Sequence, residues 1–404
     1  MGVMEMLKVF VSLSLVAVLV YTSRHLWSER NAEFPFQTED YVFNEPKFNE
    51  LERTQAVLGF ELFHDQRLSA NGEVSCSTCH IKEFGFGDNK AQSKGIGLTD
   101  LNSPPIFNTS VQKWFFWDGR SNSLETQALQ PIVHPNEHGI SLTKLGSLIF
   151  QNYKSEFEKA FSYKFSPELG SFLRKKLKAN EEAPKSLEKE VNELALLFGK
   201  ALGQYQRGIV AMDSPFDQFM RSYHSSNGEL SFNDSFGSQE WRGFNLFLSK
   251  THCSECHTGK NFSDQKFHFT GLAKADAPGR LEGLAALVAS PFSCLGKGKS
   301  CQQNLAKLTG SAKQVKTPSL RNLAQTGPYF HDGSAKTVRE ILYLYNRPDP
   351  KAGMDGRIQN LYLTVGEIED LEAFLMSLTS PIRDLTQEYQ DQIAQQSSSG
   401  QRLH

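Results

Sequence analysis

Net charge is almost absent from this 404-residue chain: 43 lysines and arginines face 45 aspartates and glutamates, a formal balance of −2. A surface so evenly balanced argues against nucleic acid or a polybasic contact with a membrane surface, because both select for basic patches. Sustained alternation of apolar and polar residues is also scarce, so a mainly α fold with only a few short β-hairpins is expected. The N-terminal apolar run, Val9 to Tyr21, falls short of the roughly 20 residues that span a bilayer comfortably, and no small-x-small cleavage site follows it. With polar, irregular sequence from Arg24 to Glu45 after it, residues 1–30 read as an export signal, either cleaved or kept as a membrane anchor. A buried core helix is disfavoured, since nothing nearby would cover it. Tryptophan is sparse, four against thirty phenylalanines; this fits a core built around a flat ligand, or a habit of composition, equally well. Apolar residues at 39% and charged residues at 22% are ordinary for a soluble protein, so the chemistry must lie in local motifs. The length exceeds one compact core, which implies two domains.

The cysteines carry the first chemical signal. Four of the six stand in Cys76-Ser77-Thr78-Cys79-His80 and Cys253-Ser254-Glu255-Cys256-His257. At this spacing two thiols can add to the two vinyl groups of one haem while the adjacent histidine reaches its iron, so the pattern predicts two covalently attached c-type haems. The zinc alternative wants its pairs roughly 15–20 residues apart, and these are far more widely separated. No βαβ context supports thiol exchange. Cys294 and Cys301 have no following histidine; in an oxidising compartment they are expected to close a small disulfide loop.

The chain also repeats itself. Gly59-Phe60-Glu61-Leu62-Phe63 before the first motif is echoed by Gly243-Phe244-Asn245-Leu246-Phe247 before the second. Asn102-Ser103-Pro104 is echoed by Lys316-Thr317-Pro318, and Trp117-Asp118-Gly119 by His331-Asp332-Gly333 at the same distance from the proline. The second copy carries an insertion that holds Cys294 and Cys301. Helical periodicity places Val338, Ile341, Leu342 and Tyr345 on one stripe, Ile368, Leu371, Leu375 and Leu378 on another, and marks Lys189 to Tyr205 as a long helix. The expected organisation is two cytochrome c-like haem domains in tandem, 47–225 and 226–380, divided at the polar Ser225-Ser226-Asn227-Gly228, with a fraying polar tail over 381–404.

These motifs, together with Trp117-Asp118-Gly119-Arg120, the stretch from Gln127-Ala128 to Glu137-His138-Gly139, and Pro328-Tyr329-Phe330-His331-Asp332-Gly333, resemble the bacterial di-haem cytochrome c peroxidase and MauG family over roughly residues 47 to 380. The resemblance implies a reactive haem ligated by His80 and an electron-handling haem ligated by His257. It implies Glu137 as the distal acid/base, Gln127 as its polar neighbour, and Trp117 as the relay between haems. A carboxylate near an open iron suits heterolysis of peroxide, because it can take a proton from one oxygen and return it to the other. The bland alternatives are a solvated loop charge for Glu137 and an aromatic core patch for Trp114 to Trp117. An inter-haem calcium held by Asn102, Thr326 and Pro328 is implied by the resemblance alone.

Two departures bear on mechanism. Where family members that accept electrons from small cytochromes place a methionine as sixth ligand to the second haem, the aligned residue is Tyr345, as in MauG. A phenolate favours ferric or higher iron; Tyr343 and Met354 compete for the role, and Tyr345 also lies on the apolar stripe of its helix. Where other members keep a blocking histidine, Gly95-Ile96-Gly97 has isoleucine, so the first haem is expected to be open at rest. The function implied is reduction of hydrogen peroxide by electrons from a small cytochrome, a cupredoxin or another donor, in the periplasm. MauG-like oxidation of a partner protein's side chain is the alternative. A plain di-haem electron carrier, with His134 or His138 closing the first iron, is the remaining reading. Monomer and homodimer both stay open.

Overall fold

The computed structural model describes residues 44–399 except 227, 274–277, 291, 295–298, 306 and 350–354. The N-terminal segment expected to direct export, residues 400–404 and Met354 lie outside the described residues. Among the described residues helices dominate, and four two-residue strands form two antiparallel pairs. Both pairs join distant segments, Ile209–Val210 with Arg383–Asp384 and Phe267–His268 with Val315–Lys316. The hairpin-like turns are single bridges, among them Ile81↔Gly87, Phe115↔Ser121 and Tyr329↔Ala335.

Each half is built on the same crossing of two helices. In the first, Glu50–His64 crosses Glu188–Arg207; in the second, Ser238–Leu248 crosses Val365–Met376. The repeated glycine explains the intimacy. A Cβ on Gly59 would stand 2.1 Å from the Ala201 carbonyl oxygen, and one on Gly243 would stand 1.9 Å from that of Asp370. Only glycine allows both approaches. The first crossing helix is started by a reciprocal cap between Asn49 and Glu52 and Val365–Met376 by one between Thr364 and Glu367, each satisfying amides left over at a helix start.

The apolar core falls into two main clusters. One gathers Leu58, Leu62, Phe63, Leu145, Phe157, Phe198 and Leu202, with Ala211 as its last member. The other begins at Phe216 and gathers Phe219, Phe244, Phe247, Phe262, Leu371 and Phe374. The cores therefore change hands between Ala211 and Phe216, not at the expected 225/226. The helix Pro215–Ser225 belongs to the second half because Phe216, Phe219 and Met220 are buried there. A bidentate, fully buried ion pair fixes that helix, Arg321 to Asp217 at 2.8 and 2.9 Å.

The tail also departs from expectation. Arg383–Asp384 pairs with Ile209–Val210, Leu385 N donates to Gly208 O at 3.0 Å, and Tyr205 donates its hydroxyl to Asp384 at 2.9 Å. Leu385–Ser399 is a helix seated on Glu50–His64, with Arg53 over the Tyr389 ring. The last described segment is thus part of the first half. Its polar composition hid this, because the contacts are backbone pairing and capping, not an apolar stripe. Cys294 and Cys301 form the expected disulfide. No helix among the described residues is long and apolar enough to cross a membrane.

Candidate active site

The two Cys-x-x-Cys-His segments fold alike. His80 N donates to Cys76 O at 3.0 Å and His257 N to Cys253 O at 2.8 Å, so each histidine leaves the same tight turn as its cysteines. Its Nδ1 then meets a backbone carbonyl, Phe86 O at 2.9 Å or Phe262 O at 3.0 Å. A ring nitrogen facing a carbonyl must carry the proton, which leaves Nε2 bare. Burial holds both imidazoles below the ordinary histidine value, hence neutral. Neutral rings with a bare Nε2 are what iron ligation requires, and the disulfide, which joins Cys294 to Cys301, takes up none of the four motif cysteines. The residues fit two haems: Cys76, Cys79 and His80 would hold one, Cys253, Cys256 and His257 the other.

Glu137 stands beside the first motif. Its charge is felt by the thiols of both Cys76 and Cys79, and burial raises its carboxyl above the ordinary value against the pull of His134 and Arg120. Its Oε1 is 3.4 Å from His134 Nδ1, close enough for an ion pair but without hydrogen-bond geometry. Gln127 ends the short helix Leu124–Gln127, and its Oε1 is buried without a partner. The glycine loop lies directly against the Glu137 segment: Ile96 N donates to Glu137 O at 3.1 Å and Gly97 N to Asn136 O at 2.9 Å. A Cβ on Gly95 would be 2.5 Å from Asn136 O, which explains why glycine flanks Ile96. Position 96 and Glu137 are therefore on one side of the first motif.

His138 is buried, with Nδ1 on Leu68 O at 2.8 Å and Nε2 3.9 Å from Cys76 Sγ. Arg120 bonds Gln130 at 2.8 Å and Asp118 at 3.2 Å. The sequence offers Arg120 only as the last residue of the Trp117-Asp118-Gly119-Arg120 motif and gives it no role.

Between the halves, the repeated turns meet each other. Phe116 and Gly119 in one, Phe330 and Gly333 in the other, all have positive φ. Trp117 and His331 hold equivalent places, and their rings approach edge to face at 6.2 Å. The backbone pairing is reciprocal: Asn102 N donates to His331 O at 2.9 Å, and its counterpart Lys316 donates N–H to Trp117 O at 2.7 Å. Trp117 Nε1 completes the junction by donating to Asn102 O at 3.0 Å.

Each residue implied in calcium binding has its own neighbours near this junction. Asn102 Nδ2 bonds Lys90 O, Thr326 abuts Gly85, and Gly333 fits between Ala91 and Pro328.

Around the second motif, Tyr345 lies close enough to Cys253 and Cys256 for their charges to act on its phenol. Burial, with those thiols adding to it, pushes the phenol well above its usual value. A phenolate is stable in such a place only beside a cation, which ferric iron would provide. Tyr343 is 48% exposed and no competitor. Cys256, Asp264 and His268 cluster within 4.8 Å, but Cys256 is committed to haem attachment and His268 Nε2 to Asp264 at 2.9 Å, so the trio adds no metal site.

The profile of the di-haem cytochrome c peroxidase family matches residues 53–225. The methylamine utilization protein MauG of Methylorubrum extorquens is 30% identical over 336 residues, covering 82% of this chain and 80% of that protein. The cytochrome c551 peroxidase of Pseudomonas aeruginosa is 29% identical over 80% of this chain and 78% of its own. Among solved structures, a MauG-like protein associated with microbial copper homeostasis aligns with a TM-score of 0.58 at 27% identity, over 86% of this chain and 95% of that one. The diheme peroxidase BthA of Burkholderia thailandensis shares the fold, with a TM-score of 0.59 at 18% identity over 87% of this chain and 90% of its own. The chain belongs to the di-haem cytochrome c peroxidase family that includes MauG, and its cofactors are two c-type haems.

Proposed function

We propose that the protein reduces hydrogen peroxide at the His80 haem, with electrons arriving through Trp117 and the His257 haem. When bound, haem supplies the iron at which the O–O bond is broken and the centres that hold electrons. The chain's own residues do the rest. His80, neutral and oriented by Phe86 O, would hold the first haem's iron. Glu137 takes the proton from one peroxide oxygen and returns it to the departing one, a shuttle favoured by a carboxyl raised toward neutrality. The unpartnered Gln127 Oε1 is available to orient a water or peroxide hydrogen. Trp117 joins the halves through its ring and both backbone partners. The observation that carries the reading is Glu137, partly buried beside the first haem motif and pressed against a loop whose central residue, Ile96, cannot ligate iron.

Tyr345 at the second motif favours a version nearer to MauG, in which the second haem stores oxidising equivalents and the donor is a side chain of a partner protein. The alternative donors are a small cytochrome or a cupredoxin. A calcium ion held by Asn102, Thr326 and Pro328 would stiffen the inter-haem junction through hard oxygen donors. The proposed location is the periplasm, reached by the N-terminal export segment.

The test is electron paramagnetic resonance and visible absorption of the fully oxidised protein, before and after one equivalent of peroxide. One high-spin and one low-spin haem reacting at once support the reading; two low-spin haems inert until reduction defeat it. Turnover of reduced cytochrome c then separates the donors: rapid oxidation favours the small cytochrome, and a background rate favours the protein side chain. Tyr345→Phe is expected to remove the second haem's low-spin signal while leaving the first haem reactive.

A further inference from the structure

Among the contacts by which the insertion of the second half meets the first half is a buried cation. Arg280 opens the helix Arg280–Ala289 and is 2% exposed. Its guanidinium carbon lies over two rings that meet edge to face, 4.2 Å from the Trp114 centroid and 4.1 Å from that of Phe267. Its Nη1 donates to Asp118 O at 3.2 Å and Gly119 O at 2.7 Å. Three glycines make the room: a Cβ on Gly119 would fall 2.5 Å from Nη1, one on Gly310 2.3 Å from Arg280 Cγ, and one on Gly283 2.2 Å from Asp118 O. The Asp118 carboxylate is engaged by Arg120. Arg280 is thus a buried cation held by rings and carbonyls, an arrangement that costs free energy unless every donor is well placed. Burial lowers it to about 10, so it is charged at neutral pH.

Two indoles occur in the run Trp114 to Trp117, and their surroundings differ in sign. Trp114 has the guanidinium on its face, and an indole that loses an electron becomes a cation, which that charge opposes. Trp117 instead gives its N–H to Asn102 O, an acceptor that stabilises positive charge on the ring. We propose that Arg280 is a specificity-determining positioning residue, which keeps oxidising equivalents off Trp114 and so directs them through Trp117. This rests on the reading of Trp117 as the relay.

The electron balance defines the readout. Peroxide takes two electrons and two protons to give two waters. With no donor present, the electrons come from the protein. If Trp114 supplies them, it loses two electrons and two protons and gains one oxygen from water as hydroxytryptophan. Peptide mass spectrometry of the holoprotein after limited peroxide, without donor, reads that added oxygen.

Wild type is expected to keep Trp114 unmodified, whereas Arg280→Gln raises Trp114 oxygenation about tenfold. Arg280→Lys should protect Trp114 at neutral pH and lose protection at a lower pH than wild type does, because a buried ammonium deprotonates before a buried guanidinium. Trp114 unmodified in Arg280→Gln, with both haem spectra intact, overturns the proposal. If that variant fails to assemble haem, a flat pH series in Arg280→Lys overturns it instead. Trp117→Phe runs alongside: unchanged donor-supported turnover sinks the relay reading, while the Trp114 result still reports separately on Arg280.

Discussion

Trp117 and His331 are the same position in two copies of one turn, and their rings meet edge to face at 6.2 Å where the two halves join. Each turn also takes a backbone N–H from the opposite half, Lys316 to Trp117 and Asn102 to His331. The junction is therefore self-complementary, and only the side chains distinguish its two sides. Trp117→Phe keeps the backbone pairing but loses the bond to Asn102 O, at a cost of about 1 kcal/mol. Donor-supported peroxide turnover should fall by about tenfold or more, while the first haem's own reaction with peroxide persists. Stopped-flow absorption with and without donor separates the two steps.

Glu137→Gln should slow the first haem's reaction with peroxide by about 100-fold or more, the usual worth of a positioned acid/base. In wild type the rate should climb with pH through the raised value of Glu137, because the carboxylate must accept the proton. Stability runs the other way. A carboxyl raised in the folded state contributes stability that is complete below its unfolded value and is lost as pH rises through the folded one. At neutral pH the glutamine variant should therefore be slower but no less stable, as pH-rate profiles and thermal melts would show. A variant that melts early would mean that Glu137 is a structural group.

Ile96→His restores a ligand at a backbone position anchored to Glu137 O. The first haem is expected to become low-spin at rest, with loss of prompt peroxide reactivity in the fully oxidised protein and its recovery after one-electron reduction. A high-spin signal that survives the substitution would show that position 96 does not face the iron.

Arg321→Met leaves Asp217 buried and unpaired, which should cost about 3–5 kcal/mol. Asp217→Asn combined with Arg321→Met should cost less than the single arginine change, since no lone charge remains. Arg321 also holds Lys260 O at 2.6 Å and lies over the Phe262 ring, whose carbonyl orients His257. Denaturant unfolding followed at the second haem's absorption would report both effects, and a single variant as stable as wild type would remove the argument.

Much of this was legible beforehand, and for identifiable reasons. Haem attachment is dictated by covalent spacing within five residues, so Cys76 to His80 and Cys253 to His257 needed no tertiary information. The repeat exposed Gly59 and Gly243 as a pair, and the structure shows the close helix crossing that only glycine permits. What periodicity could not reveal was ownership. The helix Pro215–Ser225 has an apolar face, but nothing local says which core receives Phe216 and Phe219. The segment after 381 was misread because its polar side chains make caps and backbone pairs, as with Asp384 accepting from the amides of Thr386 and Gln387. Arg280 was invisible for a related reason: its partners come from a segment about 160 positions away, and a lone arginine in an insertion carries no pattern.

The antiparallel pair of Ile209–Val210 with Arg383–Asp384 has a consequence for biogenesis. The N-terminal half is synthesised first, yet its edge is completed by a strand and helix that are synthesised after the second half. Haem addition to Cys76 and Cys79 can therefore begin on a half that is still open along that edge. A chain truncated after residue 380 should keep both attachment motifs but expose Tyr205 and the Glu50–His64 helix, making it a substrate for proteolysis where the full-length protein is not.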